Sequence, residues 1–547
     1  MKKVMPVVIA ITLILLIVGG AVGVKLLEKY MPTKEAANLN ELYQVEDGQT
    51  TILYNYEIQD TKGIYENGQT YLPISWVNEY INKRFYWDST ERLLVYTLPD
   101  QIVYADAETK GSNGAPLILV RDDQVYLTLG LIANYSDVQI EAFDAGDIRR
   151  VFLTDWGTRA VTTVQKAGNI REKGGIKSPI VASVEENAQV TVLESMETWS
   201  KVMTADGHIG YIENKRLTEA MEQAFSSGRQ PEVYAGTSLG EKVVLGWHQV
   251  TNAEANQYLD QVLEGTEGIN VISPTWFSLT DNEGGYKSLA SKAYVERAHE
   301  LGLQIWALLD NFSDDVQTEV LLSSTSTRRK LINSLMEEVD AYGLDGLNMD
   351  FESLKPEAGV HYIQFLRELS IPCRERGIIL SVDNYVPIEY NKFYDRTEQG
   401  IVADYVIIMG YDEHYAGSDA GSVASLEYVR GGIERTLEEV PKEKVINGIP
   451  FYTRIWTEDP GGLQSEAYGI QAAKEWIEEN DVELYWQQEL GQYYGELETP
   501  DGIQYLWMEE EESLGLKMDL IRSYDLAGVA CWKLGLEDEA VWEVIGW

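Results

Sequence analysis

The sequence predicts a multidomain chain whose C-terminal 241–547 segment is a (β/α)8 (TIM) barrel. Two observations carry that reading. Eight apolar, strand-like runs recur along the segment, and several are separated by amphipathic helical patterns, the alternation expected of a parallel barrel. One of those runs, Gly346–Glu352, sets Asn348, Asp350 and Glu352 on one face and Leu347, Met349 and Phe351 on the other. Successive strand residues point to opposite faces, so the polar row repeats at roughly 6.5–7 Å. In a closed barrel the apolar face meets helices and the carboxylate row points inward, where it is costly unless it does chemistry.

Composition narrows the function. The 547 residues are too many for one ordinary domain. Eighty-eight Asp and Glu against 44 Lys and Arg give a formal net charge of −44. That field repels nucleic acid, and no basic patch argues for binding it. Only Cys373 and Cys531 are present, with five histidines. No CxxC or Cys/His cluster occurs, so no metal site, zinc site or disulfide framework is indicated and no cofactor is expected. The two cysteines read as buried free thiols, with a bond between them left open.

In chain order, Lys2 and Lys3 precede Val4–Val24, 21 residues without a charge. That length crosses a bilayer core of about 30 Å as a helix. The lysines favour an inside N-terminus, with everything downstream outside. The expectation is a single-pass membrane anchor at 4–24; a cleaved signal peptide is the alternative. Residues 25–45 read as a polar tether. Residues 46–157 hold two similar units, in which Gln69-Thr70-Tyr71-Leu72 matches Gln124-Val125-Tyr126-Leu127. Each has a turn (Asn67-Gly68, Asp122-Asp123), a short strand, a helix-like piece and strands around an acidic turn, an α+β repeat domain. It resembles the copper amine oxidase N-terminal-like domain, yet the segment has no His or Cys to hold copper. The expected role is a structural spacer or wall-facing module.

Residues 160–218 resemble a bacterial SH3 domain through Val190–Leu193, Trp199-Ser200-Lys201-Val202 and Asp206-Gly207-His208-Ile209-Gly210-Tyr211-Ile212. Short β-rich runs between polar turns suit a small β-barrel. The resemblance implies contact with the cell wall, and Trp199 and Tyr211 are either its aromatic surface or core. Residues 219–240 read as a linker.

The barrel strands are expected at Val243–Trp247, Gly268–Phe277, Gln304–Asn311, Gly346–Glu352, Ile378–Tyr385, Tyr405–Tyr411, Val445–Phe451 and Gly528–Leu534. Helices are expected at Lys287–Leu301, Thr327–Tyr342, Val360–Arg376 and Ser422–Val440. The alternative architecture is a doubly wound sheet. The interval 453–525 is too long for one helix and reads as a small α+β insertion, with short strands around Asp501-Gly502.

Barrel active sites lie at the C-terminal ends of strands. Asp350 and Glu352 fall there on the fourth strand, Tyr411 and Asp412 on the sixth and Trp532 on the eighth. Paired carboxylates flanked by aromatic faces suit glycoside hydrolysis, with one acid protonating the leaving oxygen. These residues also carry a resemblance. Asp345–Glu352 is similar to the DGxDxDxE signature of family 18 glycoside hydrolases, the chitinase-like family. Met409-Gly410-Tyr411-Asp412 is similar to its MxYD motif, Pro450–Trp456 to its PFYGRxW segment, and Trp532 to the tryptophan on its last strand.

The resemblance implies substrate-assisted retention, with catalytic Glu352, Asp350 and Tyr411. Glu352 would be acid and then base, the substrate's own acetamido oxygen the nucleophile, Asp350 the partner of the acetamide N–H and Tyr411 a donor to it. Asp412, Trp532, Asn348, Tyr452 and Trp456 would bind substrate. Trp247 and Phe277 are further candidates; for these two, and for Tyr452 and Trp456, core packing is the competing reading, and Asp345 is read as shaping the strand's approach. Asn348 departs from the pattern, which has an acid at that position; an amide there can hydrogen-bond Asp350 but cannot exchange a proton with it.

The expected function is an exported, membrane-tethered hydrolase at the bacterial cell surface, cutting β-1,4 links beside N-acetylglucosamine in peptidoglycan or a chitin-like glycan. The alternatives are a non-catalytic glycan-binding protein or a cell-wall scaffold of the same fold.

Overall fold

The computed structural model describes residues 5–144, 148–500 and 502–547. Lys2, Lys3, Val4, the acidic turn at 145–147 and Asp501 of the expected Asp501-Gly502 turn lie outside them. The chain forms two compact units, residues 1–87 with 104–231 and residues 88–103 with 232–547.

In the first unit an apolar helix spans Met5–Tyr30, and it is long and apolar enough to cross a membrane. It runs past the expected end at Val24. The segment after it, expected as a polar tether, is docked within this unit. Thr33 and Ala37 donate backbone N–H groups to Ile176 and Ile180. Tyr43 is 1% exposed, packed with Leu53 and Phe152, and its hydroxyl accepts from the Ile209 N–H. Burying such apolar side chains outweighs the segment's polar composition.

Both repeats fold as read from their turns. Asn67-Gly68 and Asp122-Asp123 have positive φ at both positions, the geometry that matches a two-residue hairpin to strand twist. Each hairpin runs directly into a seven-residue helix, Ile74–Tyr80 or Leu129–Tyr135. Six short strands between Gly157 and Glu213 surround a core of Val164, Ile170, Val190, Val202 and Ile212. Trp199 and Tyr211 are half-buried outside that core. The expected linker begins as a strand, Met221–Phe225, paired with Gly157–Val161.

The second unit is the barrel. Its strands are β1 Val243–His248, β2 Val271–Pro274, β3 Gln304–Asp310, β4 Gly346–Asp350, β5 Ile379–Tyr385, β6 Tyr405–Met409, β7 Val445–Pro450 and β8 Gly528–Trp532. Each pairs in parallel with the next, and β8 pairs with β1. That closure excludes the doubly wound sheet.

Two boundaries moved for local reasons. The expected Gly268–Phe277 run divides: β2 ends at Pro274, and Phe277–Leu279 pairs separately with β3 and with Tyr286–Ser288. The helix expected from Lys287 therefore starts at Lys292, capped by the Ser291 hydroxyl. Between β7 and β8 lies a five-stranded antiparallel sheet with the helix Ile470–Glu479, the expected insertion. Cys373 and Cys531 are both free and buried.

Residues 88–103 belong to the barrel's unit. Asp88 accepts the backbone N–H and hydroxyl of Thr325, both at 2.6 Å. Thr97 accepts from Gln364, and the Pro99 carbonyl from Arg374. Beneath this cover, Arg328 meets Glu368 through two bonds of 3.0 and 2.8 Å, with side chains 0% and 2% exposed. Removing one member of a buried pair strands the other charge. Glu368→Ala is therefore expected to destabilise the barrel by about 3–5 kcal/mol, read from the shift of its urea unfolding midpoint.

Candidate active site

The site grows out of strand register. β3 and β4 pair Asp310 with Asp350. β4 and β5 pair Met349 with Val382, so one step further Asp350 stands level with Asp383. Leu347, Met349 and Phe351 pack outward against the helix layer, which turns Asn348, Asp350 and Glu352 inward. The same alternation on β5 turns Ser381, Asp383 and Tyr385 inward. Three aspartates from three adjacent strands thus share one level, with Glu352 and Tyr385 above them.

A cleft of about 140 Å³ opens on this row, lined by Trp247, Phe312, Asp350, Glu352, Asp383, Tyr385, Met409, Tyr411, Asp412 and Trp532. A second hollow of about 410 Å³ shares Phe312 and Glu352 with it and continues past Asn311, Thr318 and Lys355. Glu352 therefore stands at the junction of two spaces. Its backbone is clamped there, since Asn311 accepts the Glu352 N–H at 2.9 Å and donates to its carbonyl at 3.0 Å. Ser353 then turns at a φ of 53°, a conformation that costs a non-glycine residue roughly 1 kcal/mol.

The electrostatics follow from burial among like charges. Asp350 and Asp383 are raised well above the usual carboxylate range, chiefly by burial. Asp350 is raised further by Asp383, Glu352 and Asp310; at Asp383 the Asn348 bond opposes the rise and Glu352 adds to it. Burial also raises Asp310, opposed by bonds from the Phe312 N–H and the Ser278 hydroxyl. Glu352 is raised by burial and by the charges of Asp412 and Asp310. The Tyr385 hydroxyl, donating to Glu352 Oε2 at 2.6 Å, opposes that rise. Buried carboxylates without a positive neighbour lower their energy by keeping protons.

The sequence-derived residues divide by place. Glu352, Asp350, Tyr411, Asp412 and Trp532 line the inner cleft, as does Trp247. Tyr411 is 7% exposed, and its ring fits because position 448 is glycine; a Cβ there would lie 3.0 Å from the ring. Tyr452 donates its hydroxyl to Asp412 and packs edge-on to Tyr411. Trp247 and Trp532 meet edge-to-face, centroids 5.8 Å apart.

Asn348 does not reach the cleft. It is fully buried and bonds Trp247, Ser273 and Asp383 rather than Asp350. Trp456 is buried with its N–H given to the Gly421 carbonyl, and Phe277 is buried against Tyr286. Neither lines the cleft, because the insertion and the 277–288 hairpin cover them. Asp345 lies at the opposite end of β4, accepting from His299 and the Ile305 N–H.

Asp310, Asp383, Tyr385 and Phe312 went unread. The available signal was polar residues closing an apolar run: Asp310-Asn311 after β3, and Asp383 and Tyr385 alternating along β5. Among the described residues no cluster of His, Cys, Asp and Glu is arranged to hold a metal.

Residues 310–537 match the profile of the Glycosyl hydrolases family 18, and residues 166–218 that of the Bacterial SH3 domain. The chain thus carries a family 18 glycoside hydrolase domain and a bacterial SH3 domain. It is 28% identical over 240 residues to the cortical fragment-lytic enzyme of Bacillus subtilis (strain 168), covering 42% of this chain and 56% of that protein. It is 25% identical over 293 residues to the uncharacterized glycosylase YvbX of the same organism, covering 51% and 84%. The fold resembles that of the Bacillus cereus spore cortex-lytic enzyme SleL, with a TM-score of 0.51 at 19% identity over 60% of this chain and 77% of that one. The chain spans little more than half of the first of these relatives.

Because the Tyr385 hydroxyl favours the ionised form of Glu352, Tyr385→Phe is expected to move the Glu352 titration to higher pH. Carboxyl resonances of protein labelled at glutamate report that shift, and an unchanged midpoint would contradict the assignment.

Proposed function

We propose that the chain is an exported, membrane-tethered glycoside hydrolase that cleaves β-1,4 links beside N-acetylglucosamine in a cell-wall glycan, with retention and with help from the substrate's acetamide. The observation that supports this most is the position of Glu352, a half-buried acid raised above its ordinary range where the two hollows meet. A glycan lying across both hollows brings its scissile oxygen to that acid. Asp350, Tyr411 and Trp532 line the inner hollow, which is the space for the N-acetylated ring.

In this reading Glu352 protonates the leaving oxygen while the acetamido carbonyl oxygen attacks the anomeric carbon. An oxazolinium-type intermediate forms, with no bond to the protein. Asp350 accepts the acetamide N–H and balances the positive charge that develops on it. Tyr411 donates to the acetamide oxygen, Trp532 and Trp247 floor the ring, and Asp412, steadied by Tyr452, completes that subsite. Glu352, now ionised, takes a proton from the water that opens the intermediate from the same face.

The bacterial SH3 domain and the apolar helix Met5–Tyr30 favour a wall glycan reached from the membrane surface. The names of the relatives, cortical fragment-lytic and spore cortex-lytic enzymes, point the same way. The repeat segments outside 88–103, at 46–87 and 104–157, serve as a spacer in this arrangement.

The test is release of reducing ends from purified peptidoglycan and from chitooligosaccharides. Glu352→Gln is expected to lower the rate by at least roughly 10²-fold, with glycan binding retained. Since the acid must carry its proton, the wild-type rate should fall as pH rises through the raised Glu352 titration. Equal release by the mutant, or none by the wild type on any N-acetylated glycan, would leave a glycan-binding protein or scaffold as the better description.

A further inference from the structure

Asn348 stands where the family 18 pattern has an acid, and its hydrogen bonds lead to an acid on the next strand. The Trp247 indole N–H only donates, so the atom it meets must be the Asn348 oxygen, which the Ser273 hydroxyl also reaches at 2.9 Å. The amide nitrogen is thereby turned toward β5, where it donates to Asp383 Oδ1 at 2.8 Å. With Oδ1 held as an acceptor, any proton on Asp383 must sit on Oδ2. Asp383 stands level with Asp350 on the adjacent strand, and Asp350 Oδ1 is buried with no hydrogen-bond partner.

We propose that Asp383, not residue 348, is the proton partner of Asp350, so that the acid pair of this site spans β4 and β5. The proposal rests on the hydrolase reading of the same cleft. In the empty cleft the pair holds one proton. When an acetamide N–H approaches Asp350, the proton leaves Asp350 for Asp383 Oδ2. Asp350 is then a carboxylate able to accept the N–H, and the charge of the pair stays at −1. On product release the proton returns. Asp383 acts through Asp350 and is a positioning residue.

The surroundings suit a shared proton. The titratable groups facing the pair are Asp310 from β3, Glu352 from β4, Tyr385 from β5, and Tyr411 and Asp412 at the end of β6, with Tyr362 and Tyr394 from behind. Among the described residues no lysine or arginine lines the inner cleft. With only acids and phenols around it, a second negative charge on the pair has nothing to balance it.

The experiment pairs kinetics with a titration of the full chain that needs no turnover. Asp383→Asn is expected to lower kcat on chitooligosaccharide or peptidoglycan by roughly 10²-fold, with KM little changed and the acidic limb of the pH profile displaced. Asn348→Asp in that background moves the acid to β4 and should restore most of the rate and the profile. By infrared titration of protonated carboxyl groups, with Asp350→Asn as the assignment control, Asp383→Asn should remove one step and move the Asp350 step to lower pH. Unaltered kcat and pH profile in Asp383→Asn would overturn the proposal. So would an unmoved Asp350 step, or failure of the double variant to recover while its fold is intact. Coupled carboxyl steps in a wild-type protein that releases no reducing ends would uphold the pair and sink the hydrolase reading instead.

Discussion

Everything at the mouth of this barrel is arranged around one electrostatic constraint: Asp310, Asp350 and Asp383 stand at one level on three adjacent strands, with Glu352 just above. Buried carboxylates at strand spacing repel strongly, and the inner cleft offers no cation to offset them. The protein meets the constraint with neutral donors. Ser278 and the Phe312 N–H hold Asp310, Asn348 holds Asp383, and Tyr385 holds Glu352. Asp350 alone has a buried oxygen left over. That oxygen belongs to a residue lining the inner cleft, and it is the residue that the proposed mechanism assigns to the substrate's amide.

Much of this is legible in the sequence alone. The barrel strands read as strands because both faces of each must be apolar, one against the helices and one in the barrel interior. Their ends read as a site because carboxylates interrupt that rule at Asp350 and Glu352. What could not be read was contact across strands. Asp383 lies 33 positions after Asp350, and nothing in the spacing reveals that register brings them level. For the same reason Asn348 was expected to bond Asp350, its neighbour on the strand face, when the closer acceptor belongs to β5. The docking of the segment after the apolar helix and of residues 88–103 is hidden too, because each depends on contact with residues far away in the chain.

The aromatic residues show the same limit. Trp247, Phe277, Tyr452 and Trp456 all sit near strand ends and looked alike as sugar platforms. The structure separates them by what covers each one. The insertion after β7 encloses Trp456 and the hairpin after β2 encloses Phe277, while Trp247 stays on the cleft and gives its N–H to Asn348. Phe312, unread because it stands alone in a polar loop, is 56% exposed and lines both hollows. Trp247 is buried and Phe312 is open, so lining the cleft and being exposed to it are separate properties of these rings.

Asn348 is the departure from the acidic pattern of the motif this strand resembles. In the structure it is a fully satisfied hub, fixed by a tryptophan and a serine and presenting its amide to the acid next door. An aspartate at 348 beside Asp383 would add a fourth buried carboxylate to a row that already lacks a counter-charge. The amide and the β5 acid act together, since the amide fixes one oxygen of that acid as an acceptor. Asn348→Asp alone adds an acid to the row and Asp383→Asn alone removes one, whereas the two together keep the number of acids and move one of them across a strand. A parallel barrel can place an ionisable neighbour of Asp350 on either of two strands, and here β5 carries it at the level that register sets.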